Sequence, residues 1–387
     1  MSYSAVIGYS STKFGELWNK SLSDLIQESA KMVLDYTKIT LENVDAIFFS
    51  NMLAGVLENN LHLAAKIADI LQTNIPIFRV ESACCSGGMA FHLAQNYLLA
   101  NPNSTVMVLG SEKMTDYGVE DVTSALAAAA SGDEQEAGLT FPGLYGMIAE
   151  RYLDQFNYTE ENLAHIAVKN HFHGKLNKNG HFQNQISVSD VMNSGYVARP
   201  LKVLDCSPIS DGAASIILTN KAELIQQRPK HIQVVATEVA SDTISLKNRE
   251  SLVSLKSTKI AAKKAFDKSG LTPKDIGVVE LHDCFTIAEI IALEDLGFWE
   301  EGSGGYMAQM ETTRIDKKSG LVVNPSGGLK ASGHPIGATG VKQIGEIYLQ
   351  LTGQAGDRQV ENLKYGLTHN VGGSGGTAVV NIFKAKN

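Results

Sequence analysis

The sequence predicts an α/β protein made of two duplicated α/β halves, each a mostly parallel sheet with helices on its faces, plus one inserted loop subdomain. Three observations carry that expectation. The chain matches itself at a fixed offset, helix-like and strand-like stretches alternate along both copies, and glycine-rich turns fall where strands give way to helices.

The repeat comes first because self-similarity can decide a fold. Displacing the chain by 232 positions, the separation of Ala30 and Ala262, lays Ala30-Lys-Met-Val-Leu-Asp35 on Ala262-Lys-Lys-Ala-Phe-Asp267 without a gap. Ile39-Thr-Leu-Glu-Asn-Val44 then meets Leu271-Thr-Pro-Lys-Asp-Ile276, and Ala46-Ile-Phe-Phe49 meets Val278-Val-Glu-Leu281. Both copies read helix, short turn, buried strand. Further along the spacing changes. Cys84-Cys-Ser-Gly-Gly, with helix-like residues 89–100 and a strand at 105–109 behind it, matches His334-Pro-Ile-Gly-Ala and the helix after it. Ser210-Asp-Gly-Ala-Ala-Ser-Ile-Ile-Leu218 matches Ser374-Gly-Gly-Thr-Ala-Val-Val-Asn-Ile382.

These matches divide the chain into an N-terminal half (1–117 and 199–225), a C-terminal half (226–387) and an inserted segment (118–198) with no counterpart. The insertion is rich in Ala, Gly, His and Asn, and it reads as a loop-heavy subdomain over the active site.

Composition narrows the function. With 387 residues, 44% hydrophobic and 19% charged, the chain is enzyme-sized and can bury a large core. A net charge of -8 argues against nucleic acid as the main partner, and no basic block marks a membrane surface. No run approaches the roughly 18 apolar residues of a spanning helix. Residues 1–8 read as a short apolar strand and lack the basic start of a signal peptide. Four cysteines are too few for a disulfide framework. Cytoplasm is the expected location.

Four residues could do chemistry. His334 lies in Asn324-Pro-Ser-Gly-Gly-Leu-Lys-Ala-Ser-Gly-His334-Pro-Ile-Gly-Ala-Thr-Gly340, between the strand-like Leu321-Val-Val and a helix expected at 341–351. Its glycines allow tight turns and close approach to a bound group, and a helix N-terminus favours negative charge. Cys84 occupies the matching place in the other copy. A pseudo-twofold arrangement would bring the two helix starts together, where a cysteine near a histidine has its pKa lowered and its thiolate favoured.

Taken alone, Cys84 reads equally as a small buried hydrophobe; the matched places favour chemistry. Its neighbour Cys85 must point elsewhere on the turn and reads as structural.

His282-Asp-Cys284-Phe ends the expected strand 278–281, and ligands bind at the carboxyl ends of strands in open α/β sheets. His282 and Cys284, two apart, face the same way on extended backbone and suit a hydrogen-bond donor and a proton shuttle. Asp283 reads equally as a cap. No third and fourth ligand completes a metal site, so none is expected. Cys206, in a turn-like Leu-Asp-Cys-Ser-Pro, reads as packing. His171, His173 and His181 read as a solvated or pocket-lining loop. Asn370-Val-Gly-Gly-Ser-Gly-Gly376, between two strands, can aim backbone N–H groups into the site.

Together these residues resemble the thiolase superfamily over essentially the whole chain. Cys84 in Cys-x-Ser-Gly resembles the nucleophile acylated by an acyl-CoA thioester. Gly333-His334-Pro-Ile-Gly337 resembles the histidine loop that activates it. Many thiolases carry Asn-Glu-Ala-Phe where this chain has His282-Asp-Cys-Phe, and a catalytic Cys-x-Gly where it has Asn370-Val-Gly372. Both departures resemble the sterol-carrier-protein branch and the archaeal-type acetyl-CoA acetyltransferases.

The resemblance implies a layered αβαβα arrangement and CoA as a substrate, with no permanently bound cofactor. It implies cleavage of 3-oxoacyl-CoA with CoA, or condensation of two acyl-CoA molecules, through acyl-Cys84. Cys284 would be the acid/base, the N–H groups of Cys84 and Gly372 an oxyanion hole, and His282 with His334 the holders of the second thioester oxygen. A homodimer or tetramer and a partner enzyme are further implications. Ala262 stands where many thiolases have a serine, so that CoA contact does not transfer. The alternatives are a ketoacyl-synthase-like condensing enzyme and a non-catalytic CoA-binding or scaffold subunit.

Overall fold

The computed structural model describes residues 3–317 and 320–386; Met1 and Ser2, the start of the expected first strand, lie outside the described residues. The strands are β1 (Ala5–Ser11), β2 (Ala46–Ser50), β3 (Ile77–Val80), β4 (Thr105–Glu112), β5 (Tyr196–Ala198), β6 (Leu201–Lys202), β7 (Gly212–Thr219), β8 (Ile232–Ser241), β9 (Val278–Glu280), β10 (Val322–Val323), β11 (Tyr365–Gly372) and β12 (Thr377–Ala385). Short β5 and β6 pair with each other. The other ten form one hydrogen-bonded sheet in the order β10-β9-β11-β12-β8-β1-β7-β4-β2-β3.

Read outward from the middle, that order is a duplication. One side runs β1-β7-β4-β2-β3 and the other β8-β12-β11-β9-β10, each strand facing its counterpart in chain order. Among the described residues, the sides join where Ala5 pairs with Gln233 and Val6 with Ile232. Each side is mixed, which corrects the expectation of a mostly parallel sheet. β2 pairs in parallel with β3 and β4, but β7 lies antiparallel to both β4 and β1. The reason is visible in the second copy: residues 373–376 connect β11 to β12, and so short a link can only make an antiparallel hairpin.

The 232-residue offset survives in the elements. Helices Leu22–Thr37 and Lys256–Ser269 bury Ala30 and Ala262. Single 3₁₀ turns follow at Leu41–Asn43 and Pro273–Asp275, and then β2 and β9 begin at Ala46 and Val278. The first of these helices packs on β1, β4 and β7, the second on β8 and β12, so each covers the outer face of its own half.

Helices Ser86–Ala100 and Ile336–Leu351 behave differently. The first packs on β2 and β4 and also on β8, β11 and β12; the second packs on β4 and β7 and also on β9 and β11. They form the middle of five layers: helix, sheet, helix, sheet, helix. Every residue of Ile336–Leu351 except Leu349 is buried, and its polar side chains are paired: Lys342 with Glu280, Glu346 with Arg358, and Gln343 with His369 O.

The central helices touch through backbone. A Cβ on Gly87 would lie 2.8 Å from Gly340 N and 2.9 Å from Gly340 Cα. Glycine at both places permits a crossing that no larger residue allows.

The insertion is helical, not loop-heavy. It holds helices Val119–Ala127, Gly132–Glu136, Phe141–Phe156, Glu160–Gly174 and Val188–Asn193. Leu144, Tyr145, Ile148, Ala149, Tyr152 and Leu153 make one buried stripe at helical spacing, started by the Thr140 side chain accepting from Gly143 N–H. That stripe joins the same apolar core as Leu281, Phe285 and Ile290 of the C-terminal half. Among the described residues, no helix is long and apolar enough to cross a membrane.

Candidate active site

Cys84 ends a tight turn. Ala83 has φ 48°, Ser86 N–H reaches Ala83 O at 3.1 Å, and the helix starts at Ser86. The Cys85 thiol donates to Ser82 O at 2.9 Å, a packing role, while Cys84 keeps 8% exposure. His334 follows Gly333, whose φ of 96° favours glycine, and the helix behind it begins at Ile336, five residues before the expected start. Gly337 and Gly340 do not delay that helix, because their bare backbones pack against neighbouring chain.

His282 and Cys284 follow β9. Cys84 Sγ and one ring nitrogen each of His282 and His334 all lie within 4.8 Å of one another. The two imidazoles meet edge to face, centroids 5.1 Å apart. Cys284 lines the same cavity as Cys84 and His334, a space of about 230 Å³ walled by Met114, Tyr145, Ile209, Phe285 and Ile336. The structure therefore brings Cys84, His282, Cys284 and His334 to one place.

Hydrogen bonds assign the tautomers. Asn370 Oδ1 accepts from Gly88 N–H at 3.1 Å, which fixes the amide. Its Nδ2 then donates to Cys84 O and to His282 Nδ1, both at 3.1 Å. His282 Nδ1 is an acceptor, so the ring proton is on Nε2, which has no protein partner. His334 is the opposite. The Thr339 hydroxyl donates to Pro335 O at 3.0 Å, so its oxygen accepts from His334 Nδ1–H at 2.7 Å and leaves Nε2 with a lone pair. One imidazole offers a proton and the other can take one.

The resting site is neutral. Burial pushes the Cys84 thiol up to about 12, against the opposing Gly373 N–H hydrogen bond, and burial pushes His334 down to about 3. Burial also drives His282 well below its usual range, helped by His334 and His369, and raises Cys284 well above its own. The expected lowered pKa of Cys84 is thus corrected: with both imidazoles uncharged, no cation offsets the desolvation of a thiolate.

Cys84, His282 and His334 have donor types suited to zinc, but as hydrogen-bonded His282 presents N–H where a ligand needs a lone pair.

Other expectations shift. Gly373, one residue beyond Gly372, lines the cavity. Gly372 ends β11 against the cysteine turn: a Cβ on it would lie 2.7 Å from Ser82 O. Cys206, expected to be packing, lines the cavity, although its thiol donates to Lys202 O at 3.3 Å. Asp283 does cap, accepting from Leu329 N–H at 2.7 Å and Lys330 N–H at 3.2 Å.

His171 and His173 are neither solvated nor on a loop, being buried on helix Glu160–Gly174, whereas His181 lies partly buried in the loop that follows. His173 Nδ1 donates to Asn324 O and Nε2 accepts from Ile315 N–H, both at 2.9 Å. His181 bonds Ser210 Oγ at 2.9 Å, and that oxygen accepts from His334 N–H at 3.3 Å.

Sequence reasoning missed Tyr145 and Thr339. Tyr145 is 139 positions from Cys284 in the chain, and only the helical period of its segment pointed inward.

The family model described as "Thiolase, N-terminal domain" matches residues 4–222, and the one described as "Thiolase C-terminal domain-like" matches 238–385. An acetyl-CoA acetyltransferase of Methanothermobacter thermautotrophicus is 45% identical over 381 residues, 98% of each chain. Human sterol carrier protein 2 is 33% identical, the match covering 98% of this chain and 71% of that protein. The crystal structure of human mitochondrial 3-ketoacyl-CoA thiolase superposes with a TM-score of 0.72 at 16% identity, covering 100% of this chain and 99% of that one.

Proposed function

The chain belongs to the thiolase family, and from that membership we propose that it transfers acetyl groups between CoA thioesters through acyl-Cys84. It makes acetoacetyl-CoA from two acetyl-CoA or cleaves 3-oxoacyl-CoA with CoA, which enters as substrate. The observation that carries the site assignment is the meeting of Cys84 sulfur with one proton-accepting and one proton-donating imidazole beside Cys284.

The steps balance. His334 Nε2 takes the Cys84 proton as sulfur attacks the thioester, and the oxyanion is met by N–H groups of Cys84 and Gly372. The Cys284 thiol protonates the departing CoA thiolate and becomes a thiolate itself. That thiolate removes an α-proton from the second acetyl-CoA, and the enolate oxygen lies between His282 Nε2–H and the now protonated His334 Nε2–H. The enolate carbon attacks acyl-Cys84; the carbon–sulfur bond breaks, and His334 returns the proton to Cys84.

Four free cysteines suit a reducing compartment, which supports the cytoplasm. The β3 edge, where Phe78 is 45% exposed, supports self-association as a homodimer or tetramer, measurable by sedimentation.

Turnover is tested with acetoacetyl-CoA plus CoA, followed by loss of thioester. Cys84→Ala is expected to be inactive. Cys284→Ala should still become acylated on Cys84, seen by mass spectrometry, while carbon–carbon bond formation drops about 10²- to 10⁴-fold. Full turnover by Cys284→Ala would remove that residue from the mechanism.

A further inference from the structure

Tyr145 belongs to the inserted segment, on helix Phe141–Phe156, yet it reaches both sulfur positions. It is 2% exposed and lines the cavity with Cys84 and Cys284. Its ring lies on Phe285, centroids 4.7 Å apart, which holds it beside the strand end. Its hydroxyl donates to Gly373 O at 3.3 Å, and Gly373 lines the cavity beside Cys84. Cys284 lines the same cavity, and its chain neighbour Phe285 carries the Tyr145 ring. One phenol proton therefore rests on a carbonyl while a thiol lines the same cavity.

We propose that Tyr145 is a positioning residue for Cys284, its hydroxyl turning from the Gly373 carbonyl to the Cys284 sulfur when that sulfur becomes a thiolate. This rests on the thiolase reading above and adds a residue to it. The 3.3 Å bond to Gly373 is long and neutral, whereas a bond to a thiolate is charge-assisted and stronger, so the exchange runs downhill.

The surroundings leave few other donors. Cys84 and Asp283 face Cys284 and, as anions, oppose a second negative charge; the Tyr145 hydroxyl and the Phe285 backbone N–H favour it. Around Tyr145, Cys284 and Cys84 oppose its ionisation and Arg249 alone favours it. Burial keeps the phenol protonated, so it can give a hydrogen bond without competing for the α-proton.

The test uses the full chain carrying Tyr145→Phe. Acylation of Cys84 by acetyl-CoA, measured in single turnover by mass spectrometry, is expected to stay within about 3-fold of the parent. Condensation and loss of deuterium from α-deuterated acetyl-CoA should both fall roughly 10- to 100-fold, the worth of a hydrogen bond to a charged group. The pH at which deuterium loss rises should move upward. Equal losses in acylation and condensation, or an unmoved pH profile, would overturn the proposal.

Should Tyr145→Phe fail to fold, the parent chain with 3-fluorotyrosine, a stronger donor, should move the profile downward, and no movement is equally fatal. A parent enzyme that neither acylates Cys84 nor exchanges deuterium refutes the thiolase reading itself.

Discussion

At the scale of single residues, the site works by opposed tautomers. Asn370 holds His282 as a donor and Thr339 holds His334 as an acceptor. Asn370→Asp keeps the shape but presents only oxygen to His282 Nδ1, which then carries the proton itself. His282 Nε2 would become an acceptor and one enolate donor would be lost. We expect kcat/KM for condensation to fall about 10²- to 10³-fold, the usual cost of one oxyanion donor, and the melting temperature to fall as well, because Cys84 O loses its donor and a carboxyl is buried. Steady-state kinetics beside a thermal melt checks it. The sequence exposed Asn370, because it stands where many thiolases carry a cysteine. It gave no hint of Thr339, whose hydroxyl becomes relevant only when Ile336–Leu351 starts early enough to bring it under His334.

At the scale of elements, the two central helices decide the distance between Cys84 and His334. Each helix begins two residues after its reactive side chain, and they cross at Gly87 and Gly340 with backbone against backbone. Gly87→Ala would force a methyl against Gly340 N, which cannot move as a side chain could. The expected loss is about 1–3 kcal/mol of stability, read as a lower urea midpoint. Activity should fall as well, because separating the helices separates sulfur from imidazole. The repeat made this pairing legible: Cys84 and His334 are in matched positions. The thiol's protonation was not legible. A helix start near a histidine suggested a thiolate, but burial of both groups left them neutral.

At the scale of the whole molecule, buried titratable groups pull stability in two directions with pH. Burial lowers His173 to about 3. A histidine whose folded pKa is depressed gives stability that is full above its unfolded value near 6.5 and is lost as the pH falls toward 3. Glu112 and Asp283, raised to about 7 by burial, act oppositely. Their contribution is full below their unfolded values and is lost as the pH rises to 7. His173 can be isolated because both ring nitrogens are committed, one donating and one accepting. His173→Gln keeps a donor and an acceptor but cannot be protonated. Its stability relative to the parent should improve by up to about 1.4 kcal/mol for each pH unit below 6.5. Denaturant midpoints at pH 7 and pH 5 test this; a constant difference between the proteins would refute it.

The sequence by itself determined the duplication, the strand-end position of His282 and Cys284, and the pairing of Cys84 with His334, because local periodicity and matched spacing survive in a linear chain. Only the tertiary structure decided the sheet's antiparallel strands, the helical nature of the insertion, the resting protonation states and the presence of Tyr145 and Cys206 around the cavity. Those depend on desolvation and on side chains meeting across more than a hundred positions, and neither leaves a mark on neighbouring residues.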